Sequence, residues 1–396
     1  GREIVGSRSV RLSVLLVSIY MVFVAPDFAL AQSSVGQGPL TNALSDVEPT
    51  SGVLGVGPIK LAPGLTIREI GWDSNVFDEP AEDAPKDDWV AAAMPDISAY
   101  SRLRFVRLSA YAGAELTYYH TYESERSVGH AFRGRADFLL SRFRPFVGGG
   151  VTETRTRPNG EIDVRADRDL EELSGGLAYD LSPTSLLYGS SYQTSDEYEN
   201  AIEDGVDLAQ SLTRDSTNYQ LGLKTDLTPL LSLQLYGSYQ EEKFRHEPIR
   251  NSDSRMATAT FPFAPVAVVS GTVNLTFPDM VFVDPLIKNY RGFTGLAALI
   301  YPIFEIGRFS AALSRGVEYS FDTLEGYYVE QSVLLSYTHR LFGEVDGQIR
   351  GGHSSFEYDA RTTLPAHTDT LDVVAGSLGY NLRNRTRVAV NYEYAR

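Results

Sequence analysis

Apolar and polar residues alternate one by one along residues 103–120 of this 396-residue chain. The apolar positions are Val106, Leu108, Ala110, Ala112, Ala114, Leu116 and Tyr118, and the positions between them are Arg107, Ser109, Tyr111, Gly113, Glu115 and Thr117. Helical side chains return to one face every 3.6 positions, whereas strand side chains return every second position. The pattern therefore predicts a β-strand with one apolar face and one polar face.

The same alternation recurs to the end of the chain, with clear examples at 219–227, 231–240 and 387–394. Many such spans run for about 11–15 residues, whereas strands of globular proteins are usually about 5–6 residues long. A tilted membrane strand needs about 9–11 residues. We therefore predict an all-β fold, a transmembrane antiparallel up-and-down β-barrel, with a soluble propeller or solenoid as the alternative. The predicted strands are 61–71, 89–98, 103–121, 128–140, 144–156, 171–181, 185–195, 215–227, 230–242, 253–262, 266–277, 290–302, 307–320, 328–339, 343–356, 371–381 and 385–396.

Short and long connections alternate between these strands. In outer-membrane barrels the short turns face the periplasm and the long loops face outside, so the alternation supports the barrel and orients it. The short connections are 141–145, 181–184, 227–229, 263–265, 303–305, 340–343 and 381–384. The long ones are 78–88, 122–127, 157–170, 194–215, 243–252, 278–289, 321–327 and 357–370.

The predicted count of about seventeen strands is odd, although single-chain bacterial barrels have an even number. An open edge in lipid would leave unpaired backbone groups, each costing several kcal/mol. We therefore expect about eighteen strands in the full protein, with a C-terminal strand beyond Arg396, unless one hairpin is miscounted. The ending Tyr394-Ala395-Arg396 also lacks the final aromatic residue that barrel-insertion machinery commonly reads.

The first residues resemble a secretory signal. Arg2, Arg8 and Arg11 precede an apolar run over 12–25, and Ala29-Leu30-Ala31 follows it. A basic region, a short apolar core and an A-x-A site are the three parts of a signal peptide. We predict a signal peptide over 1–31 with cleavage between Ala31 and Gln32, a flexible periplasmic lead-in over 32–58 and the barrel over 59–396. An N-terminal membrane anchor is the alternative, although the apolar run is shorter than the roughly 20 residues that a spanning helix needs.

The formal charge is −16, and the chain has no cysteine. Segments 78–88, 157–173 and 194–215 together hold 19 acidic and 5 basic residues, which concentrates the acid in the predicted outer loops. This balance argues against nucleic acid as a partner, because phosphate contacts need clustered Lys and Arg. The acidic loops form either a solvated face or a loose divalent-cation bridge to lipopolysaccharide phosphates.

Residues suited to catalysis or metal binding are scattered. The six His residues form no H-x-x-x-H pair, and His353 beside Ser354 and Ser355 is the nearest candidate for a hydrolase site. Sequence adjacency does not make a triad, and a solvated strand end is the simpler interpretation. We predict no enzyme activity, no cofactor and no metal site. Gly148-Gly149-Gly150 lacks the following G-K-[ST] of a phosphate loop and is interpreted as strand glycine.

Residues Leu61–Phe77, which run from a predicted strand into the turn Asp73-Ser74-Asn75-Val76-Phe77, resemble the first hairpin of the putative outer-membrane β-barrel porin type 2 family. The long strands and Pro-containing turns over 60–396 are similar as well. The resemblance implies an outer-membrane barrel, often from exopolysaccharide-producing bacteria, with no assigned substrate and no catalytic residues.

The alternation also predicts which charges face the lumen. If Val106 and Leu108 face lipid, the opposite phase points inward. The predicted lumen-facing charges are Arg107, Glu115, Arg133, Arg135, Asp137, Glu318 and Arg350. They either form a basic patch facing acids elsewhere, a transverse field that selects polar solutes, or pair with one another and plug the lumen. The weakly polar segment 277–287 could fold inward as a constriction or rest on lipid or a neighbouring barrel.

Three functions remain open. A porin-like channel for small polar solutes predicts an open lumen. An exopolysaccharide-associated export or surface-anchoring barrel predicts a plugged lumen, and an outer-membrane enzyme predicts a polar triad at the rim. The partners expected in each case are outer-membrane lipid, lipopolysaccharide and the barrel-insertion machinery, with small polar solutes or polysaccharide as cargo. No pattern in the sequence marks an oligomer face.

Overall fold

A computed structural model describes residues 16–21, 54–77, 85–304, 306–323, 325–359, 365–382 and 386–396, and strands dominate it. The strands are β1 (Leu16–Met21), β2 (Leu54–Val56), β3 (Ile59–Asp73), β4 (Asp88–Arg102), β5 (Val106–Tyr119), β6 (Ser127–Phe138), β7 (Phe143–Thr156), β8 (Ala166–Ser182), β9 (Ser185–Glu199), β10 (Ile202–Glu203), β11 (Val206–Asp207), β12 (Arg214–Thr228), β13 (Leu231–Phe244), β14 (Ser252–Phe263), β15 (Ser270–Phe282), β16 (Tyr290–Arg291), β17 (Thr294–Ile303), β18 (Gly307–Tyr319), β19 (Tyr327–Phe342), β20 (Val345–Tyr358), β21 (His367–Leu382) and β22 (Thr386–Ala395). One short helix, α1 (Leu208–Leu212), and two 3-10 turns (Glu123–Glu125 and Pro248–Arg250) lie between strands of this described part.

Each long strand pairs antiparallel with the next long strand along the chain, which is the up-and-down order that the alternation predicts. Within the described residues, seventeen strands of ten residues or more match the seventeen predicted spans one for one. The prediction of an all-β, antiparallel up-and-down barrel is confirmed. Among the described residues, no helix is long and apolar enough to cross a membrane.

The two ends of this series meet through β1. Strand β1 pairs antiparallel with β22 over Leu16–Met21 and with β3 at Leu16 and Val17, which closes the sheet. Because β3 and β22 run in the same direction, a strand between them must run the opposite way. Residues 16–21 occupy the position where we expected an additional strand. The predicted cleavage site at Ala31 and Gln32 lies outside the described residues, and the signal peptide stays a prediction.

The two faces of the wall differ as the period of two requires. Large apolar side chains such as Leu108, Phe132, Leu221 and Ile349 are exposed on the outer face. Polar, small and aromatic side chains occupy the inner face. Since lipid replaces water around such a wall, the exposed apolar band is the surface that the bilayer covers.

The described residues of the long connections lie at one end of the barrel, which the sequence predicts to be the outer end. We number them outer loops 1–8. They are 74–87, 120–126, 157–165, 200–213, 245–251, 283–293, 320–326 and 359–366.

Several strands extend further than the alternation predicted, and the acidic segments are therefore not confined to loops. β8 begins at Ala166 and β9 ends at Glu199, so Asp169 and Asp196 lie on strands. The expectation that these stretches are loops was wrong, because ion pairs replace apolar contacts where the strands leave the lipid. Asp196, for example, accepts hydrogen bonds from Arg168 Nε at 2.6 Å and Nη2 at 2.9 Å across β8 and β9.

Candidate functional site: the lumen and its outer cap

The inner face of β5 and β6 carries a group of charged side chains. Arg107 and Glu115 alternate with the exposed Leu108 and Leu116 on β5. Arg133, Arg135 and Asp137 occupy the matching positions on β6, in the phase opposite to the exposed Phe132. The register places Arg107 opposite Asp137, near the short-turn end of the barrel.

Arg135 and Asp137 form a compact pair on the inner face. Arg135 Nη2 lies 2.7 Å and Nε 2.9 Å from the same Asp137 oxygen, and both side chains are mostly buried. The Arg135 guanidinium also lies 4.0 Å from the centre of the Phe146 ring. These contacts hold the cation close to the wall, which keeps it from extending into the lumen.

Arg133 pairs with Glu172 across the intervening strand β7. Arg133 Nε lies 3.3 Å from Glu172 Oε2, and the Tyr192 hydroxyl donates to the same carboxylate. The residue between the two on β7 is Gly150, where an added Cβ would lie 2.7 Å from Arg133 Cγ and 2.8 Å from the Phe132 carbonyl oxygen. Glycine at 150 therefore leaves the space through which Arg133 reaches β8.

Glu115 has its partner on β3. A register shift between Ile67 and Glu69 marks a bulge in that strand. Arg68 Nη1 lies 2.5 Å from Glu115 Oε1, and Arg68 Nη2 lies 3.9 Å from Glu69. A bulge re-aims side chains in this way because it adds one residue to one strand of a pair.

The remaining charges named from the sequence lie far around the ring. Arg350 on β20 is paired with Glu393 on β22, over Ala375 of β21. Glu318 on β18 stands opposite Tyr328 on β19. The structure thus brings Arg107, Arg135 and Asp137 together but does not join them to Glu318 or Arg350. Arg133, Arg135, Glu115 and Arg350 each have a local partner of opposite charge, so they do not form the continuous basic patch considered above.

The wall formed by β14, β15 and β17 has no charged residue at any inner-face position of these described strands. Hydroxyl and amide groups bond one another there. Thr258 and Thr276 are 3.0 Å apart through their hydroxyls, and Asn274 Nδ2 donates to Thr260 at 3.2 Å. The charged inner face of β5–β8 therefore contrasts with the uncharged inner face of β14, β15 and β17.

Aromatic side chains lie flat against inner-face glycines near the short-turn end. Phe146 and Tyr188 are buried together with Ala178 and Leu186, and Tyr236 packs against them. A Cβ on Gly222 would lie 2.5 Å from Tyr236 Cβ and 2.7 Å from Tyr188 Cζ. The glycine lets both rings lie against the wall.

Outer loop 3 crosses the mouth of the barrel. It connects β7 and β8, yet its Glu161 accepts hydrogen bonds from the Ser320 hydroxyl at 2.6 Å and the Phe321 amide at 3.1 Å in outer loop 7. Outer loop 7 connects β18 and β19, nearly opposite in the ring of strands. Ile162 beside Glu161 is buried with Leu208 and Leu212 of α1 in outer loop 4. Loops 3, 4 and 7 together form what we call the outer cap.

A buried arginine in outer loop 5 ties the cap together. The Arg250 side chain is fully buried, and its Nη1 donates to the Ser211 carbonyl at 2.6 Å. Its Nη2 donates to the carbonyls of Ser320 and of Gly326, the latter at 3.3 Å. Its guanidinium also lies 4.6 Å from the Phe244 ring centre. One side chain thus bonds outer loop 4 and outer loop 7 to loop 5.

The sequence left open whether 277–287 folds inward as a constriction or rests on lipid or a neighbouring barrel, and in the structure residues 277–282 are part of the wall. Most of that segment is strand β15, and Phe277 and Leu286 are 62% and 80% exposed. Outer loop 3 reaches inward instead. Its only sequence signal is Ile162 and Val164 among charged residues after Asn159-Gly160, because isolated apolar residues in a charged loop need a surface to cover them.

His353 does not join a catalytic group with its serine neighbours. Its Nδ1 lies 2.7 Å from Asp372 on β21, and both side chains are exposed. Adjacent strand residues point to opposite faces, so Ser354 faces away from His353. Among the described residues, no group of three or more His, Asp or Glu side chains is arranged to hold a metal ion.

A closed antiparallel barrel with an apolar outer face and a polar inner face defines an outer-membrane β-barrel protein. The family described as "Putative beta-barrel porin 2" matches residues 54–396. The chain belongs to this family, and its location is the bacterial outer membrane. No curated protein matches the chain.

Several solved structures of outer-membrane proteins match this chain with low sequence identity. OccK1 (OpdK) of Pseudomonas aeruginosa has 13% identity and a TM-score of 0.42, over 85% of this chain and 98% of that one. OccAB3 of Acinetobacter baumannii has 12% identity and a TM-score of 0.39, over 86% and 100%. The siderophore receptor PirA of Pseudomonas aeruginosa has 10% identity and a TM-score of 0.46, over 78% and 61%. The chain spans 58% of the PirA receptor from Acinetobacter baumannii.

Proposed function

We propose that this protein is a porin-like channel that passes small polar solutes across the outer membrane, with the outer cap restricting access. The observation that carries the proposal is the contrast between the two inner walls. Charged pairs line β5–β8, while hydroxyl and amide groups line β14 and β15, and β17 adds no charged side chain to the inner face. A lumen of about eighteen strands leaves room for water unless loops fill it.

The paired charges supply dipoles that orient water. Arg135 and Asp137 lie on one strand, and Arg133 meets Glu172 two strands away. Such fixed dipoles favour polar solutes over apolar ones, and the neutral wall lets neutral polar solutes pass without displacing a counter-charge. The family and this polar lining support transport and not catalysis.

The export route and the outer-membrane partners predicted from the sequence are consistent with this function. A signal peptide over 1–31 and a lead-in over 32–58 would deliver a barrel over 59–396 to the insertion machinery of a Gram-negative bacterium. Cleavage after Ala31 would also vacate the place between β3 and β22 that β1 holds in the structure. Acidic residues at the outer end would contact lipopolysaccharide through divalent cations. No cofactor and no nucleic acid take part in the proposal.

An exopolysaccharide-associated export or surface-anchoring barrel with a plugged lumen is the second candidate. The outer cap favours it, because the contact between Glu161 and Ser320 carries outer loop 3 across the mouth. A barrel that is permanently capped conducts ions only when a partner displaces the cap. The two candidates therefore differ in the conductance of the isolated protein.

Single-channel recording in planar bilayers distinguishes the candidates. We expect stepwise conductance from the folded protein, and we expect Arg107→Ala combined with Arg133→Ala to raise cation over anion permeability on the order of twofold, since the lumen loses two positive charges. The matched control is Arg255→Ala, which removes an exposed positive charge from the outer face of β14. A folded barrel that stays silent would rule out free diffusion and leave the capped barrel.

A further inference from the structure

The contact at the tip of outer loop 3 places a carboxylate inside a ring of hydrogen-bond donors. Asn159 Oδ1 accepts from the Glu161 amide at 3.0 Å, which forms the turn that presents the side chain. The two carboxylate oxygens accept from the Ser320 hydroxyl and the Phe321 amide, and the Tyr358 hydroxyl donates as well. Gly160 lies against Phe356, since a Cβ there would be 3.0 Å from the ring.

We propose that Glu161 is a proton-operated latch, which holds outer loop 3 across the mouth when protonated and releases it when ionised. The latch regulates the channel proposed above and rests on that function. The geometry points to Glu161 because this one titratable side chain joins opposite sides of the barrel mouth. Its donors come from outer loop 7 and from β20, whereas its own loop leaves from β7.

Burial raises the pKa of the Glu161 carboxyl from its ordinary 4.5 to about 7, and hydrogen bonds from Ser320, Phe321 and Tyr358 offset only part of that rise. In the released loop the carboxyl is solvated and its pKa returns to the ordinary value. The latched form therefore takes up a proton between these two pKa values. Latching is fully favoured at pH below the ordinary pKa and is lost as the pH rises through about 7. The difference corresponds to a change of roughly 300-fold in the ratio of latched to released protein.

The groups around Glu161 also favour its protonated form in the latched position. Glu325 of outer loop 7 repels an ionised Glu161, and Tyr328 and Tyr358 contribute neutral hydroxyls. Asp322 donates its amide to the same Ser320 hydroxyl at 3.0 Å. His367 stacks on Tyr358 with ring centres 4.3 Å apart and lies 3.8 Å from Glu325.

The base of outer loop 3 is held independently of its tip. Arg157 Nε donates to the Asp163 carbonyl at 2.6 Å, and Arg157 Nη2 donates to the Val76 carbonyl of outer loop 1 at 3.3 Å. At the other end, Arg165 Nη1 lies 3.5 Å from Glu125 of outer loop 2. Release of Glu161 therefore breaks the hydrogen bonds to outer loop 7, while the base stays attached to the rim and Ile162 stays packed on α1.

Bilayer recording at about pH 5 and about pH 8.5 tests the latch on the full chain. We expect the unmodified protein to be mostly closed at the lower pH and mostly open at the higher pH. Glu161→Gln keeps the shape without the charge and is expected to stay closed at both. Glu161→Ala removes the acceptor and is expected to stay open at both. The control Glu199→Gln removes one exposed carboxylate at the end of β9 and should titrate like the unmodified protein. If Glu161→Gln keeps the full pH dependence, the latch is overturned.

A distance measurement separates failure of the latch from failure of the channel. The chain has no cysteine, so Pro158→Cys with Thr323→Cys gives two unique sites for nitroxide labels and leaves the Asn159 turn intact. Pulsed electron-resonance distances should lengthen as the pH rises through about 7, and Glu161→Gln should abolish the change. A changing distance in a silent barrel would retain the latch and reject the diffusion channel. An unchanging distance would overturn the latch whatever the conductance.

Discussion

Replacing Arg250 with alanine will release the outer cap while leaving the barrel folded. The side chain is fully buried and bonds the carbonyls of Ser211, Ser320 and Gly326. Its loss leaves these acceptors without donors, and each buried acceptor left unsatisfied costs about 1–3 kcal/mol. That energy falls on outer loops 4, 5 and 7 and not on the strand ladders. Arg250→Lys should rescue little, because one ammonium cannot reach acceptors that a planar guanidinium spans.

Limited proteolysis of the folded protein in micelles measures this release. We expect new cleavage within 200–213 and 320–326, with the barrel still resistant to unfolding by detergent. Arg245→Ala is the matched control in the same loop. Its side chain is partly exposed and is paired with Glu197 and Asp215 at the rim, so its loss should cost less than about 1 kcal/mol. If the cap resists the protease equally in Arg250→Ala and in the control, Arg250 does not hold the cap loops together.

Adding one methyl group at Gly222 will destabilise the barrel, whereas adding one at Gly237 will not. At Gly222 a Cβ would lie 2.7 Å from the Leu235 carbonyl oxygen and equally close to the Tyr188 ring. Because part of the obstruction is backbone, rotation of a side chain cannot relieve it, and overpacking of this kind costs about 1–3 kcal/mol. At Gly237 the nearest atom to an added Cβ is 3.9 Å away.

The two alanine substitutions should therefore change the free energy of unfolding in opposite directions. Gly237→Ala lowers the entropy of the unfolded chain and is expected to stabilise by about 0.4–1 kcal/mol. Gly222→Ala is expected to lower the urea midpoint of unfolding in lipid vesicles. In a Tyr188→Ala background the loss caused by Gly222→Ala should be smaller, since the ring that the added methyl group contacts is absent. Equal midpoints for the two glycine variants would show that the rings do not depend on Gly222.

The alternation of apolar and polar residues predicted the strands well, because every second side chain of a membrane strand must face lipid. Every span with an apolar outer face was found, but the start of β8 was missed. There Asp167, Asp169 and Glu171 alternate with Arg168 and Leu170, so no apolar face marks the strand. Beyond the lipid, an ion pair is sufficient to continue a strand, and hydrophobicity carries no information about it.

The candidate site was predictable only in part. The phase of a strand assigns Arg133 and Arg350 to one face, but their partners lie on other strands. Glu172 and Glu393 are two strands away in each case, and the sequence contains no signal that selects them. The cap was missed for the same reason. Burial of Ile162 and the bond from Ser320 to Glu161 depend on tertiary contacts between loops far apart in the chain.

The separation of 159 residues between Glu161 and Ser320 also sets an order of assembly. Strand pairs form between neighbours, with little loop to close, whereas this contact must await the strands on the far side of the ring. Loop-closure entropy is lost before such a contact returns any stabilisation. A newly inserted barrel therefore passes through a stage with complete walls and an uncovered mouth. During that interval the mouth of the nascent barrel lacks the contacts that outer loop 3 makes with outer loop 7 in the mature one.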